Sequence, residues 1–311
     1  MKISVVLPVF NGFPQLEVLL LSLITDLESG DEVIVVNDGS KDEPSTRYLN
    51  LEELNPAIKM INQAHGGIVS ALNHGISRAR NPLIARLDVD DAYHAGRFHH
   101  QRKLFEEDPE LILAFTDYVI VSEKQKYLGY IPSAVTDYAV KLSLINPSRT
   151  AHPSAMFRKV SFLNSNGYRQ QDFPAEDLAL WIRMIDKGKF ASIPQPYLTY
   201  TLSPNGITSN RRHAMNSKVS EFQHPLRSKL LLSTSEAKKT LTLYSSCSHK
   251  SERCVLLAKD SLKILVLCRK FDFFNLILVF KILFQPTSIF AILKLWQYKN
   301  LRMRQRSKAN Y

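Results

Sequence analysis

The chain has 311 residues, 45% of them hydrophobic and 22% charged, enough for a full-sized buried core and unlike a disordered or fibrous composition. Its formal charge of +11 is uneven: residues 225–311 hold 17 Lys+Arg against 4 Asp+Glu, and the first 224 hold 23 against 25. The basicity therefore belongs to the C-terminal stretch, and with no nucleic-acid motif in the chain a nucleic-acid partner is not expected.

The opening run "MKISVVLPVF" lacks a small-residue cleavage site and reads as a first strand rather than a signal peptide. Short β-branched runs then alternate with helix-like stretches: "PQLEVLLLSLI", "DEVIVVNDGS", "GGIVSALNHGISRA" and "PLIARLDVDD". Strand, helix, strand, helix, strand implies parallel strands joined by right-handed crossovers, an α/β sheet with helices on its faces. From about residue 97 the pattern is mixed: a helix in "RFHHQRKLFEED", strands in "ILAFTDYVIVS" and "YLGYIP", and an extended piece in "AHPSAMFRK". Leu178, Trp181, Ile182 and Ile185 recur at i, i+3, i+4 and i+7, which predicts a helix that starts at its acids and stops at Gly188. Beyond Pro225 the chain turns basic and apolar. Its most apolar stretch, "FFNLILVFKILF", is shorter than the roughly 20 residues that span a bilayer. Cys247, Cys254 and Cys268 all lie there and match no zinc or disulfide spacing, so a reducing compartment is expected. The division expected is 1–224 for the α/β domain and 225–311 for a helical C-terminal region.

Ligands on α/β sheets bind beyond the carboxyl ends of the strands. Three polar clusters fall at such ends here: Asn11 and Gly12, then Asn37, Asp38 and Gly39, then Asp88 to Asp91. Asp88 and Asp90 form D-x-D, and alternation along an extended chain sends both side chains to one side, where they suit Mg²⁺ or Mn²⁺ shared with a diphosphate. Solvated turns also carry D-x-D, and the convergence with Asp38 and Asn11 favours the metal. Asp38 lies in "VIVVNDGS", a run of turn formers, and is equally placed to accept hydrogen bonds from a base or ribose. Gly66 and Gly67 precede a helix whose first N–H groups can hold an anion, although two glycines are also ordinary punctuation and no P-loop Lys-Ser/Thr follows. Glu176 and Asp177 open the Trp181 helix, where the helix dipole alone accounts for acids. Of the histidines, His152 in "AHPSAMF" is the candidate for an acceptor site.

Taken together, "SVVLPVFNG", "EVIVVNDGSKD", "HGGIVSALNHGI", "ARLDVDD", "HPSAMFRK" and "GYRQQDFPAEDLALWIR" resemble, in order and interval, the family-2 glycosyltransferases across roughly residues 1–210. The resemblance implies a GT-A fold, a Rossmann-like, mostly parallel mixed sheet flanked by helices. It also implies transfer of a sugar from a nucleotide-diphosphate donor, with inversion. By that resemblance Pro8, Val9, Asn11, Asp38 and Asp88 bind the nucleotide, and Asp88 with Asp90 holds a divalent metal, Mn²⁺ or Mg²⁺. Asp177 is the catalytic base with Glu176 beside it, and His152, Trp181 and Arg211 are contacts for acceptor or phosphate. Where relatives carry a Y-R-x-H-like segment this chain keeps Tyr200 but has Thr201 and Ser203, which leaves Arg211 or Arg212 for a phosphate. UDP is the expected nucleotide, and a glycan or lipid-linked hydroxyl the expected acceptor, in bacterial surface-polysaccharide synthesis (lipopolysaccharide, O-antigen or capsule).

The tail mixes Lys and Arg with Leu, Ile, Phe and Trp296, as peripheral contact with an anionic membrane requires, so the expected location is the cytoplasmic face of the inner membrane. Two rivals stand beside the transferase. A sugar nucleotidyltransferase needs a basic, Gly-rich loop after the first strand, which "PVFNGFPQ" lacks; a decayed fold serving as a scaffold sits poorly with intact Asp38, Asp88, Asp90 and Asp177.

Overall fold

A computed structural model of the chain describes residues 1–42, 55–145, 149–204, 206 and 210–229. The expectations for positions 230–311 lie outside the described residues.

Among the described residues nine strands form one mixed sheet: β1 (Ile3–Val9), β2 (Glu32–Asn37), β3 (Ile58–Asn62), β4 (Leu83–Arg86), β5 (Ala92–Tyr93), β6 (Leu111–Ser122), β7 (Tyr127–Ile131), β8 (Met156–Arg158) and β9 (Lys189–Leu202). Their order is β3-β2-β1-β4-β8-β6-β9-β5, with β7 hydrogen-bonded to β6. Strands β3, β2, β1 and β4 run parallel, as do β6 and β9, and these pairs carry most of the ladder. Strand β8 is antiparallel to both β4 and β6, β5 to β9, and β7 to β6.

Helices cover both faces. On one side α1 (Phe13–Ile24) and α3 (Arg97–Glu107) pack with Val5, Leu7 and Val9. On the other, α2 (Gly67–Arg78), α4 (Asp137–Ser143), α5 (Lys159–Asn164), α6 (Glu176–Met184) and α7 (Arg212–Lys229) pack with Val6, Ile34 and Ile84. Coverage on both faces explains why all seven residues of β1 are buried and why its sequence is continuously apolar rather than alternating. Pro8 is tolerated in this central strand because β4 pairs only as far as Val6, so the ring removes no bond to β4.

Sequence periodicity predicted β1, β2, β4, β6, α1, α2, α3 and α6, but missed β3, β5, β9, α4 and α5. Strand β3 carries Lys59 and is largely half-buried at the sheet edge, and β5 has two residues. Strand β9 contains Pro194 and Pro196, which argue against a strand; a register shift opposite Thr116 and Asp117 absorbs them. The expected boundary at 225 falls inside α7, because a change of composition is not a break in the backbone.

The strand ends that carry the polar clusters are held by a buried cation. Arg97 of α3 has no exposed surface; its guanidinium donates to Gln101 Oε1 (2.9 Å), Pro153 O (2.7 Å), Arg86 O (3.2 Å) and Ala155 O (3.2 Å). It ties α3 to the end of β4 and to the 3-10 turn His152–Ser154 that leads into β8.

Candidate active site

The carboxyl ends of β1 and β2 are joined by side-chain to backbone hydrogen bonds. Asn11, at φ 53°, accepts from Lys41 N (2.8 Å) and its own N–H donates to Ser40 Oγ (3.0 Å). Asp38 is 3% exposed, and its carboxylate accepts from Gln63 Nε2 (2.7 Å), Gly66 N (2.8 Å) and Gly67 N (2.9 Å), with His65 Nδ1 at 2.9 Å. These partners use the acceptor sites of the carboxylate, and they also use the two glycine N–H groups expected to hold an anion. Asp38 is thus a fixed strut between β2 and α2. Gly39 makes this closure possible: its φ is +71°, and a Cβ there would lie 2.8 Å from the His65 nitrogen.

Just beyond β4, Asp88, Asp90 and Asp91 bring one carboxylate oxygen each within 4.8 Å of one another. Gly12 lets the loop after β1 close on this turn, since a Cβ there would meet Val89 Cγ2 at 2.9 Å. Asp91 is 6% exposed; Thr201 N donates to its Oδ1 (2.9 Å), and its Oδ2 is buried with no partner. Burial, then Asp88 and Asp90, push its pKa well above the usual carboxylate range. Asp90 reaches solvent at the rim, yet partial desolvation and Asp88 raise it to about 6. Crowded oxygens, one of them orphaned, together with the raised pKa values of Asp90 and Asp91, which come from burial first and neighbouring acids second, suit a hard divalent cation, and the three residues fit one.

Between the triad and the core lies Arg86, the last residue of β4 and 5% exposed. Its Nη1 donates to Asp88 Oδ2 at 2.5 Å, and its Nε is buried without a partner. Burial works against this charge, but Asp88, Tyr168 and Asp91 hold its pKa above the ordinary value.

Helix α6 brings a second acidic pair into the same field. Glu176 is 7% exposed with Oε2 buried and unpartnered; burial and then Asp177 raise it to about 7. Burial raises Asp177 as well, offset in part by the Leu178 N–H, which donates to its Oδ1 (2.7 Å), and by Arg86. Both acids feel Asp88, which places the start of α6 and the end of β4 around one charge cluster. Tyr168 closes the back of it. Asn73 clamps its backbone in both directions (2.9 and 3.1 Å), and its hydroxyl shares a 2.7 Å hydrogen bond with His152 Nε2.

The sequence-expected residues divide accordingly. Asn11, Asp38, Asp88 and Asp90 stand at neighbouring strand ends, and Glu176 and Asp177 join Asp88. Pro8 and Val9 are buried within β1, so only their backbone reaches the crevice, and the exposed side chain there is Phe10, stacked on His65 at 4.1 Å. Two of the residues expected to contact an acceptor are buried. Trp181 has no exposed surface and packs edge-on to Phe115, so it is core rather than an acceptor contact: one turn after Asp177 the helix already faces inward. His152 is 9% exposed, lies against Trp181 and Tyr168, and is kept neutral by burial and Arg86. Arg211 is exposed, its guanidinium over the Phe173 ring (5.9 Å), close in sequence to the acids of α6. Sequence reasoning missed Arg86, Tyr168 and Thr201. An arginine inside the apolar run "LIARL" was a readable signal for the first, whereas Thr201 acts through its backbone, which no residue type announces.

Known proteins resemble this chain in sequence and in fold. The chain is 28% identical over 192 residues to an uncharacterised glycosyltransferase of Rickettsia conorii, covering 62% of this chain but only 31% of that protein. It is 28% identical over 214 residues to the amylovoran biosynthesis glycosyltransferase AmsE of Erwinia amylovora, covering 67% of this chain and 77% of AmsE. The fold matches that of S. aureus TarS 1–349 solved with UDP-GlcNAc, with a TM-score of 0.58, 15% identity, and 94% of this chain and 79% of that one covered. The profile of glycosyl transferase family 2 matches residues 4–164, the segment from β1 to α5 that holds the acidic triad, and the chain belongs to that family.

Proposed function

We propose that the chain transfers a sugar, with inversion, from a nucleotide-diphosphate donor to a hydroxyl of a glycan or lipid-linked acceptor in bacterial surface-polysaccharide synthesis. The observation that carries this reading is the meeting of two acidic groups of different kind, the solvent-edge triad Asp88, Asp90, Asp91 and the buried pair Glu176, Asp177, at the carboxyl end of one sheet. Family membership supports glycosyl transfer; the structures of TarS in complex with UDP and with UDP-GlcNAc favour UDP, and AmsE favours polysaccharide synthesis.

Each group has a task. Asp38, Asn11 and the loop after β1 shape the nucleotide end, with Phe10 and His65 on its surface. The triad would hold Mn²⁺ or Mg²⁺, whose charge would offset that developing on the departing diphosphate. Asp177 takes the proton of the acceptor hydroxyl; the oxygen bonds to the anomeric carbon as the bond from that carbon to the diphosphate oxygen breaks, and the nucleoside diphosphate leaves. Attack opposite the leaving group inverts the centre. Glu176, whose carboxyl burial and Asp177 hold well above the ordinary range, favours its protonated form and so keeps a second full negative charge away from the base.

Titration calorimetry with UDP, GDP and dTDP, with and without Mn²⁺, tests the donor. Metal-dependent binding of one nucleotide, retained in Asp177→Asn but with transfer reduced by roughly 10²–10⁴-fold, is the expected result. Folded protein that binds no nucleotide would leave the scaffold reading standing. The composition of residues 225–311 supports peripheral contact with the inner leaflet. Sedimentation with phosphatidylglycerol vesicles at low salt and release at high salt are expected; equal sedimentation with neutral vesicles would remove the electrostatic part.

A further inference from the structure

Resting on the reading of the triad as a cation site, we infer that Arg86 is a built-in counter-cation that competes with the metal for Asp88, so that the triad takes a divalent ion weakly until the negative charge of a diphosphate joins it. Three observations carry this. Asp88 Oδ2 is already bonded to Arg86 Nη1 at 2.5 Å, the geometry of a charge-assisted hydrogen bond, so the ligand atom nearest the strand is committed to a cation the protein supplies. Arg86 is 5% exposed and cannot swing away into water; Arg97 Nη2 holds its carbonyl at 3.2 Å, and its own N–H donates to Ala155 O at 3.0 Å. The acids that feel its charge outnumber it: Asp88, Asp91, Glu176 and Asp177.

A guanidinium does not lose its charge in a protein, so this competition is permanent rather than pH-gated. A divalent ion entering the triad meets a fixed positive charge bonded to one of its ligands, and its affinity falls for two reasons: like-charge repulsion in a partly desolvated site and the engagement of one of the two Asp88 oxygens by the guanidinium. A diphosphate adds negative charge and oxygen donors and shifts the balance. Metal and donor then bind as a pair, and the empty enzyme does not collect metal on its own. The same charge keeps five neighbouring carboxyl groups, Asp88, Asp90, Asp91, Glu176 and Asp177, from repelling one another freely in the absence of metal.

The test is Mn²⁺ binding to the full-length protein, read by electron paramagnetic resonance of the free ion, without nucleotide. Arg86→Met removes the charge and keeps much of the volume; Arg86→Gln removes the charge and keeps an N–H for Asp88, and serves should the methionine variant not fold. Either folded variant is expected to bind Mn²⁺ at least tenfold more tightly than the wild type. Adding UDP is expected to strengthen Mn²⁺ binding to the wild type by a larger factor than to the variant. Equal or weaker Mn²⁺ binding by a folded variant, beside measurable binding by the wild type, overturns the role of Arg86 alone. No Mn²⁺ bound by the wild type or by the variants, with or without UDP, overturns the cation reading of the triad and this inference with it.

Discussion

Asp177 and Glu176 are adjacent in the chain, yet their surroundings differ. Asp177 accepts the Leu178 N–H of its own helix and feels Arg86, whereas Glu176 keeps an unpartnered oxygen in a buried position and is raised to about 7. A general base works only when ionised, so the rate of transfer is expected to rise with pH through the neutral range as this coupled pair loses its shared proton. Replacing Glu176 by Gln removes a neighbouring negative charge and lowers the pKa of Asp177. The rising limb of the kcat/KM profile should therefore move to lower pH by about one unit, with the plateau kept within roughly tenfold. A limb that stays in place would assign the titration to another group. The pair was legible in the sequence as "ED" at a helix start. Its pKa ordering was not, because desolvation depends on what the helix packs against.

At the scale of elements, the site stands on strand ends held by polar side chains that the binary pattern of the sequence cannot rank. Arg97 and Gln101 sit one turn apart on α3 and look in the sequence like the solvated face of a helix, "RFHHQRK", but both are wholly buried. Gln101 Nε2 donates to Ala114 O (3.2 Å) and Ser154 O (3.0 Å), and Arg97 satisfies three further carbonyls, so the pair closes the backbone accounts of β4, β6, β8 and the turn at His152. Arg97→Met removes the guanidinium donors from Pro153 O and Arg86 O and leaves Ala155 O with the Arg86 N–H, and it is expected to cost about 3 kcal/mol or more in urea unfolding. Nucleotide affinity should fall with it, since Arg86 O is among the freed groups. A loss under 1 kcal/mol would show the carbonyls to be hydrated locally. Strand β9 is the corresponding miss for strands: two prolines hide it, and its partner β6 accommodates them by a register shift.

For the whole molecule, buried acids link folding to pH. Glu176 has a pKa of about 7 in the folded chain against an ordinary 4.5, so the native state binds the extra proton. Its contribution is full below about pH 4.5 and is lost as pH rises through about 7, on the order of 2 kcal/mol after allowance for coupling. Asp91 acts in the same direction. The melting temperature is therefore expected to decline between pH 5.5 and about 8. Mn²⁺ with UDP should restore most of the loss, because both bind the ionised site of the native state only. A melting temperature that rises over that interval would mean that Asp91 and Glu176 are already paired in the folded chain. No helix among the described residues is long and apolar enough to cross a membrane.

The sequence by itself determined the alternation of strands and helices, the parallel half of the sheet, and the three polar clusters at strand ends, because periodicity and turn chemistry are local properties. Six motifs in order also marked the family, since residue types at fixed intervals are read without coordinates. Only the tertiary structure decided which polar groups face the crevice and which are consumed in building it. Asp38 proved a strut, Trp181 and His152 proved walls, and Arg86 emerged as the charge between two acidic groups nearly ninety positions apart in the chain. Burial, hydrogen-bond satisfaction and charge coupling are long-range quantities, set by which strand lies beside which.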